Sequence, residues 1–132
     1  MTPPDAPART NVISRTVRSF RFAFIGLAFL FRTQRNARIH ALIGTAACAV
    51  GLWVHISRVE WAVVIFTIAL VLILEGLNTA VEAAIDLASP QIHPLAKAAK
   101  DLAAGMVLIA AFASVGVGLL ILGPPLWHKV AG

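Results

Sequence analysis

Three long apolar segments set the main constraint on how this chain can fold. They cover residues 39–57, 61–74 and 102–122, and the second continues as a helical pattern to about residue 87. The chain has 132 residues, of which 59% are hydrophobic and 13% are charged. A soluble domain of this size cannot enclose so much apolar surface, so the lipid bilayer is the expected solvent. The sequence therefore predicts a single-domain, all-α integral membrane protein.

The segment before the first span predicts a helix that lies on the membrane surface. Residues 20–31 hold five phenylalanines and one charge, Arg21, with further arginines on both sides. This run is too short to span a bilayer easily, and its arginines suit the headgroup region. We expect an interfacial amphipathic helix over about residues 14–34, preceded by a mobile tail over residues 1–13.

The remaining apolar segments predict three transmembrane helices, at about residues 39–57, 60–87 and 94–122. The second is longer than a bilayer core of about 30 Å requires at about 1.5 Å per residue, so one of its ends must protrude. Gly123 and the two prolines after it predict the end of the third helix, which leaves residues 123–132 as a C-terminal tail.

The distribution of Lys and Arg predicts the orientation. The N-terminal segment and the connector at residues 88–101 hold nine of the eleven basic residues, which places both on the cytoplasmic side. Trp53, Trp61 and Trp127 fall at the opposite ends of the spans, where an aromatic belt is expected. Topology thus accounts for the net charge of +5, and no nucleic-acid-binding motif is present.

A stripe of polar residues occupies the predicted cytoplasmic end of the second span. It consists of Glu75, Asn78, Thr79, Glu82 and Asp86. Their spacings of 3, 4, 7 and 11 residues from Glu75 put them on one helix face. A second cluster lies at the start of the third span and consists of Lys97, Lys100 and Asp101. The two clusters lie at the same membrane depth, so they can face each other.

This combination of side chains favours metal-assisted phosphoryl transfer. Clustered carboxylates and an amide suit Mg²⁺, which usually binds together with substrate phosphates, and a nearby lysine can neutralise those phosphates. Three alternatives remain open at this stage: interfacial residues with a structural Glu82–Lys100 ion pair, a small ion-coupled transporter, and a non-catalytic membrane subunit. No G-x-x-x-x-G-K-[ST] motif is present, so an ATP site would have to be built from helices.

Three stretches resemble a known family, the small trimeric prokaryotic diacylglycerol kinases and undecaprenol kinases of bacterial membranes. They are EGLNTAVEAAID (75–86), AKDLAAGMVLI (99–109) and RNARIH (35–40), and the resemblance covers about residues 14–122. It implies a homotrimer with composite sites in the bacterial inner membrane. It also implies transfer of the γ-phosphate of MgATP to a lipid alcohol, undecaprenol or diacylglycerol, in lipid metabolism. RNARIH and AKDLAAG look more like the undecaprenol kinase branch.

The resemblance also implies roles for individual residues. Glu75 corresponds to the general base, Asn78 and Ala104 to groups that position the lipid hydroxyl, and Glu82 to a ligand of Mg²⁺ and nucleotide. The other residues implied in nucleotide binding are Gln91, His93, Lys100, Asp101, Arg15 and Arg18. His93 is equally consistent with a loop or N-cap residue, and His40, His55 and His128 are interpreted as boundary residues.

One position departs from the family pattern. The family usually carries a second metal-binding glutamate where this chain has Gln34. Glutamine still offers a carbonyl oxygen, but it removes a negative charge from the metal site. We therefore expect weaker Mg²⁺ dependence or lower activity than in related proteins.

Overall fold

The computed structural model describes residues 12–89, 91 and 93–132, and these contain helices and no strand. The four helices are α1 (Val12–Thr33), α2 (Arg35–Val54), α3 (Arg58–Ala88) and α4 (Pro94–Ala131). By length and composition α2, α3 and α4 can each cross a membrane, which confirms the predicted all-α membrane architecture. Most of the predicted N-terminal tail, residues 1–11, lies outside the described residues, while residues 12 and 13 open α1.

Local signals explain where the helices begin and end. Gln34 alone separates α1 from α2, with extended backbone angles of φ −98° and ψ 114°. Ser57 and Glu60 form a capping box that starts α3: Ser57 N donates to Glu60 Oε2 at 2.7 Å, and Glu60 N donates to Ser57 Oγ at 3.3 Å. Two residues before Ser57, His55 ends α2 in the left-handed region, at φ 59° and ψ 52°. The resulting turn is short and joins two antiparallel helices.

Small residues set the register of α2 against α3. Ala37, Gly44 and Gly51 are the buried residues of α2, and they repeat every seven positions. A Cβ atom on Gly44 would lie 2.9 Å from Ile68 Cγ2, and one on Gly51 would lie 3.3 Å from the Trp61 ring. The two helices are therefore antiparallel, in a close approach typical of small residues in membrane helix pairs.

The most extensive packing is between α3 and α4. Val64 and Val71 are buried on α3, as are Val107 and Ala110 on α4. Near its end α1 contributes buried Leu30, whose Cδ2 lies 3.7 Å from the Cβ position of Gly76. Most large apolar side chains elsewhere are exposed, which suits contact with lipid or with further copies of the chain.

The third span does not end at Gly123 as expected from the sequence. Helix α4 continues through Pro124 and Pro125 to Ala131, so the predicted C-terminal tail is helical. Proline is tolerated better in membrane helices than in soluble ones, because neighbouring groups satisfy the freed backbone. A contact also holds this end in place: Lys129 Nζ donates to the Trp53 carbonyl oxygen and lies 5.7 Å from the Trp53 ring centroid.

Candidate functional site

Glu75 is the one buried charged side chain in the described part of the chain, with 2% of its surface exposed. It follows Val71 by one turn on the packed face of α3. Leu30 of α1 packs against the adjacent Gly76. A carboxylate in such a position is costly unless it is paired or serves a function. The described residues contain no ion pair to Glu75, so pairing does not account for the burial of its carboxylate.

The Glu75 carboxylate faces a cavity of about 330 Å³ between α2, α3 and α4, called here the Glu75 cavity. Its lining residues are Asn36, Ile39, His40, Glu75, Asn78, Ala104, Val107, Leu108 and Ala111. Three of the residues predicted from the family resemblance thus meet in one place: Glu75, Asn78 and Ala104. The polar lining side chains come from α2 and α3, and those from α4 are all apolar, which suits a ligand with a polar end and an apolar body.

Asn78 connects this cavity to the next carboxylate along α3. Its Nδ2 donates to Glu82 Oε1 at 3.2 Å, while its Oδ1 is buried without a hydrogen-bond partner among the described residues. The donor must be the amide nitrogen, because an ionised carboxylate only accepts. A buried, unsatisfied carbonyl oxygen costs about 1–3 kcal/mol, so this arrangement is typical of a site prepared for a ligand.

A second cavity of about 230 Å³, called here the Lys100 cavity, lies where α3 gives way to α4. Its lining residues are Ile85, Asp86, Ser89, Gln91, His93, Ala96, Lys97 and Lys100. The predicted nucleotide-binding residues Gln91, His93 and Lys100 therefore lie together. Lys100 forms an ion pair with Asp86, so the alternative Glu82–Lys100 pair is not what the structure contains.

His93 is the N-cap residue of α4, as one interpretation of the sequence held. Its Nδ1 accepts a hydrogen bond from Leu95 N at 3.2 Å, and Pro94 follows it at the start of the helix. The imidazole ring lines the Lys100 cavity at the same time. The two interpretations of His93 are thus compatible, because capping occupies Nδ1 and leaves Nε2 available.

Five predicted site residues line neither cavity: Glu82, Asp101, Gln34, Arg15 and Arg18. Asp101 forms an ion pair with Lys97 on its own helix. Gln34 is the N-cap residue of α2, but its side chain makes no capping hydrogen bond. Arg15 and Arg18 lie on the exposed surface of α1. Their predicted roles in binding metal or nucleotide therefore remain predictions.

The donor set fits a magnesium ion that arrives with its nucleotide. The described residues contain no group of three or more His, Cys, Asp or Glu side chains able to hold a metal. Mg²⁺ is usually bound by one or two carboxylates plus substrate phosphates rather than by a complete protein cage. Glu82 provides such a carboxylate, half-buried and positioned by Asn78 between the two cavities.

The structure adds polar lining residues to which the sequence had given no role, among them Asn36 and His40 in the Glu75 cavity and Asp86 in the Lys100 cavity. His40 was interpreted as a boundary residue, yet it is half-buried and lines the Glu75 cavity. The sequence spacing could have indicated this pair: Asn36 and His40 are four residues apart, so they share a helix face beside Ala37. Asp86 belongs to the acidic stripe, but its lysine partner could not be chosen from spacing alone.

Comparison with known proteins agrees with these features. Residues 21–122 match the sequence profile of a family described as "Prokaryotic diacylglycerol kinase". A diacylglycerol kinase from Synechocystis sp. is 47% identical over 124 residues, covering 91% of this chain and 71% of that protein. An undecaprenol kinase from Bacillus subtilis is 41% identical over 122 residues, covering 92% and 99%. A diacylglycerol kinase from Pseudomonas aeruginosa is 31% identical over 110 residues, covering 83% and 89%.

Proposed function

This chain belongs to the prokaryotic diacylglycerol kinase family, and from that premise we propose that it transfers the γ-phosphate of MgATP to a membrane lipid alcohol. The relatives are named for two acceptors, diacylglycerol and undecaprenol, and both are lipids with one free hydroxyl group. The observation that carries the proposal is the burial of Glu75 beside a cavity that also holds Asn78.

In this proposal Glu75 is the general base. Its carboxylate accepts the proton of the lipid hydroxyl as that oxygen attacks the γ-phosphorus, and the bond to the β-phosphate oxygen breaks to release ADP. The buried Oδ1 of Asn78 can accept a hydrogen bond from the hydroxyl before transfer, which holds the acceptor oxygen near Glu75. The apolar side chains from α4 take the adjoining lipid chain.

Glu82 and the Lys100 cavity supply the nucleotide side of the reaction. Glu82 follows Glu75 by two helical turns, about 10 Å along α3, and the Lys100 cavity begins one turn later. Glu82 holds the magnesium ion, which when bound neutralises charge on the phosphates. Lys100 neutralises phosphate charge from the α4 side, after exchanging its contact with Asp86 for a contact with the nucleotide. Gln91 and His93, which line the Lys100 cavity, contact the nucleotide in this proposal, and Asp101 supports Lys100 or contacts the nucleotide.

We also propose the membrane setting of this site. Nine of the eleven basic residues lie in the N-terminal segment and the 88–101 connector, which supports a cytoplasmic location for both in a bacterial inner membrane. A homotrimer is supported by the many large apolar side chains that one copy leaves exposed, and it would bring Arg15 or Arg18 of one copy near the site of another. We favour undecaprenol over diacylglycerol because of the RNARIH and AKDLAAG stretches.

The direct test is phosphorylation by purified protein in lipid nanodiscs. γ-Labelled ATP and Mg²⁺ are supplied with undecaprenol or with diacylglycerol, and label in the extracted lipid is measured. We expect label with undecaprenol at a higher kcat/KM, and loss of at least about 100-fold in kcat for Glu75→Gln. The matched control is Glu60→Gln, which alters a glutamate at the opposite end of α3 and should keep most of the activity.

Two outcomes would count against the proposal. Absence of label with every lipid alcohol, in protein that remains folded, would favour the ion-coupled transporter or the non-catalytic membrane subunit. Lipid phosphorylation that persists in Glu75→Gln would show that Glu75 is not the general base. A preference for diacylglycerol would correct the acceptor while leaving the reaction unchanged.

A further inference from the structure

His40 lies on the packed face of α2, between two close contacts. Ala37, three residues before it, has no exposed surface, and Gly44, four residues after it, approaches Ile68 of α3. Residues three and four apart share a helix face, so His40 belongs to the face of α2 that packs against α3. An imidazole is far larger than the side chains of Ala37 and Gly44. The ring of His40 lies where α2 and α3 separate to form the Glu75 cavity.

The register between α2 and α3 brings His40 within one turn of Glu75. Gly51 faces Trp61 and Gly44 faces Ile68, so each step of seven along α2 matches a step of seven in the opposite direction along α3. One more step places Ala37 opposite Glu75. The Cα atom of His40 is then about 4.5 Å from the level of Glu75 along the helix axis.

The usual direction of helical side chains narrows this gap from both sides. Side chains in an α-helix lean toward the N-terminus of their own helix. Since α2 and α3 run in opposite directions, the imidazole of His40 leans toward the level of Glu75, and the Glu75 carboxylate leans toward the level of His40. Asn36, on the same helix, leans away from Glu75 toward the start of α2. His40 is therefore the better placed of the two.

Other donors around the cavity are accounted for. The residues from α4 are Ala104, Val107, Leu108 and Ala111, none of which has a polar side chain. The Asn78 amide nitrogen on α3 is directed to Glu82, and α1 packs nearby through Leu30. A buried carboxylate requires hydrogen-bond donors, and among the residues that the structure describes His40 is the one titratable group besides Glu75 that lines this cavity.

We propose that His40 is a positioning residue for Glu75, with an imidazole N–H that donates to the Glu75 carboxylate through one bridging water, since the described residues contain no direct ion pair between the two side chains. The hydrogen bond fixes the carboxylate orientation and leaves its second oxygen facing the acceptor hydroxyl. The inference rests on the proposed kinase function for its catalytic consequence. The contact itself is a property of the folded protein and is testable without turnover.

The test combines substitutions at positions 40 and 75. His40→Leu removes the donor at similar volume, and His40→Gln keeps an N–H donor; each is made with Glu75 and with Glu75→Gln. Thermal unfolding is followed in nanodiscs without substrate, and kcat and KM for the lipid are measured separately. Ile39→Ala is the control, because Ile39 lines the same cavity without a donor.

We expect His40→Leu to lower the melting temperature with Glu75 present and to have little effect with Glu75→Gln, because the buried carboxylate is then absent. His40→Leu should lower kcat by about 10- to 100-fold, while KM for the lipid changes less than about threefold. His40→Gln, which keeps an N–H donor, should recover most of the lost kcat. Ile39→Ala should lower the melting temperature by the same amount with Glu75 present and with Glu75→Gln.

Equal loss of melting temperature for His40→Leu in both backgrounds would overturn the proposal, as would a His40→Gln variant no better than His40→Leu. If no lipid is phosphorylated but the two substitutions remain coupled in stability, the contact stands and the kinase proposal fails.

Discussion

Asn78 directs its amide nitrogen to Glu82 while its own carbonyl oxygen stays buried without a partner in the described part of the chain. The 3.2 Å hydrogen bond joins two polar residues one turn apart on α3. One side of the amide thus positions the proposed magnesium ligand, and the other side is left for the acceptor lipid. Because a buried oxygen without a partner destabilises the folded protein, Asn78 does not contribute to stability through this atom.

Asn78→Leu should therefore separate stability from activity. The substitution removes a buried unsatisfied oxygen, so we expect a melting temperature equal to or above that of the unmodified protein. Activity should fall at least about 100-fold, because both the acceptor contact and the donor to Glu82 are lost. Thermal unfolding and lipid phosphorylation on the same preparation check this. A large drop in melting temperature would show that Asn78 mainly stabilises the fold.

Gln34→Glu tests the departure from the family pattern. A carboxylate at this N-cap position should strengthen apparent Mg²⁺ binding by roughly two- to tenfold, because it adds a negative charge near the metal. The melting temperature should not fall, since a negative charge suits the start of α2. The measurement is a Mg²⁺ titration of initial rate. Thr33→Glu is the control: an equal effect there, or none at Gln34→Glu, would contradict a direct metal contact.

Lys100→Met should affect the nucleotide more than the fold. The Lys100–Asp86 pair is partly exposed, so its loss should cost less than about 1 kcal/mol of unfolding free energy. KM for ATP should rise about tenfold or more through loss of the phosphate contact. Lys129→Met, at the far end of α4, is the control. It should lower the melting temperature by loss of the Trp53 contact and leave KM for ATP unchanged.

Gly44→Ala should destabilise the protein by about 1–3 kcal/mol. The new Cβ would lie 2.9 Å from Ile68 Cγ2, and a β-branched side chain in a helix has little freedom to rotate away. Ile68→Ala should restore much of the lost stability in the double variant. Gly116→Ala is the control, because outside its own stretch of helix no atom of the described residues lies within 4 Å of its Cβ position in a single copy. Thermal unfolding checks all four proteins, and lack of rescue by Ile68→Ala would contradict this contact.

The fold could be predicted from the sequence to the extent that hydrophobicity decides it. Three apolar segments gave three spanning helices, and Gln34 falls where the arginine-rich segment joins the first of them. The end of α4 could not be predicted, because Pro124 and Pro125 signal a helix end by local chemistry. The contact of Lys129 with Trp53, residues 76 positions apart in sequence, lies beyond local signals.

The relative placement of the candidate site residues could be predicted where they share one helix. Glu75, Asn78 and Glu82 follow from helical spacing on α3, and the structure links two of them by a hydrogen bond. Pairings between helices were harder. Lys100 contacts Asp86 rather than Glu82, and His40 lines the cavity because of a register set by Gly44 and Gly51. Such choices depend on how two helices slide along each other, which the composition of either one does not determine.

The packed pair α2 and α3 has the geometry of a lever. The closer of its two glycine contacts is where a Cβ atom on Gly44 would lie 2.9 Å from Ile68 Cγ2, and the Glu75 cavity opens beyond that contact. From residue 44 to residue 37 the lever arm is about 10 Å long, so a tilt of about 10° at Gly44 moves its far end by about 2 Å. Such a rotation changes the width of the Glu75 cavity by more than half the diameter of a water molecule. Substitutions at Gly44 or Ile68 are therefore a route by which the size of the acceptor in the proposed reaction could be tuned.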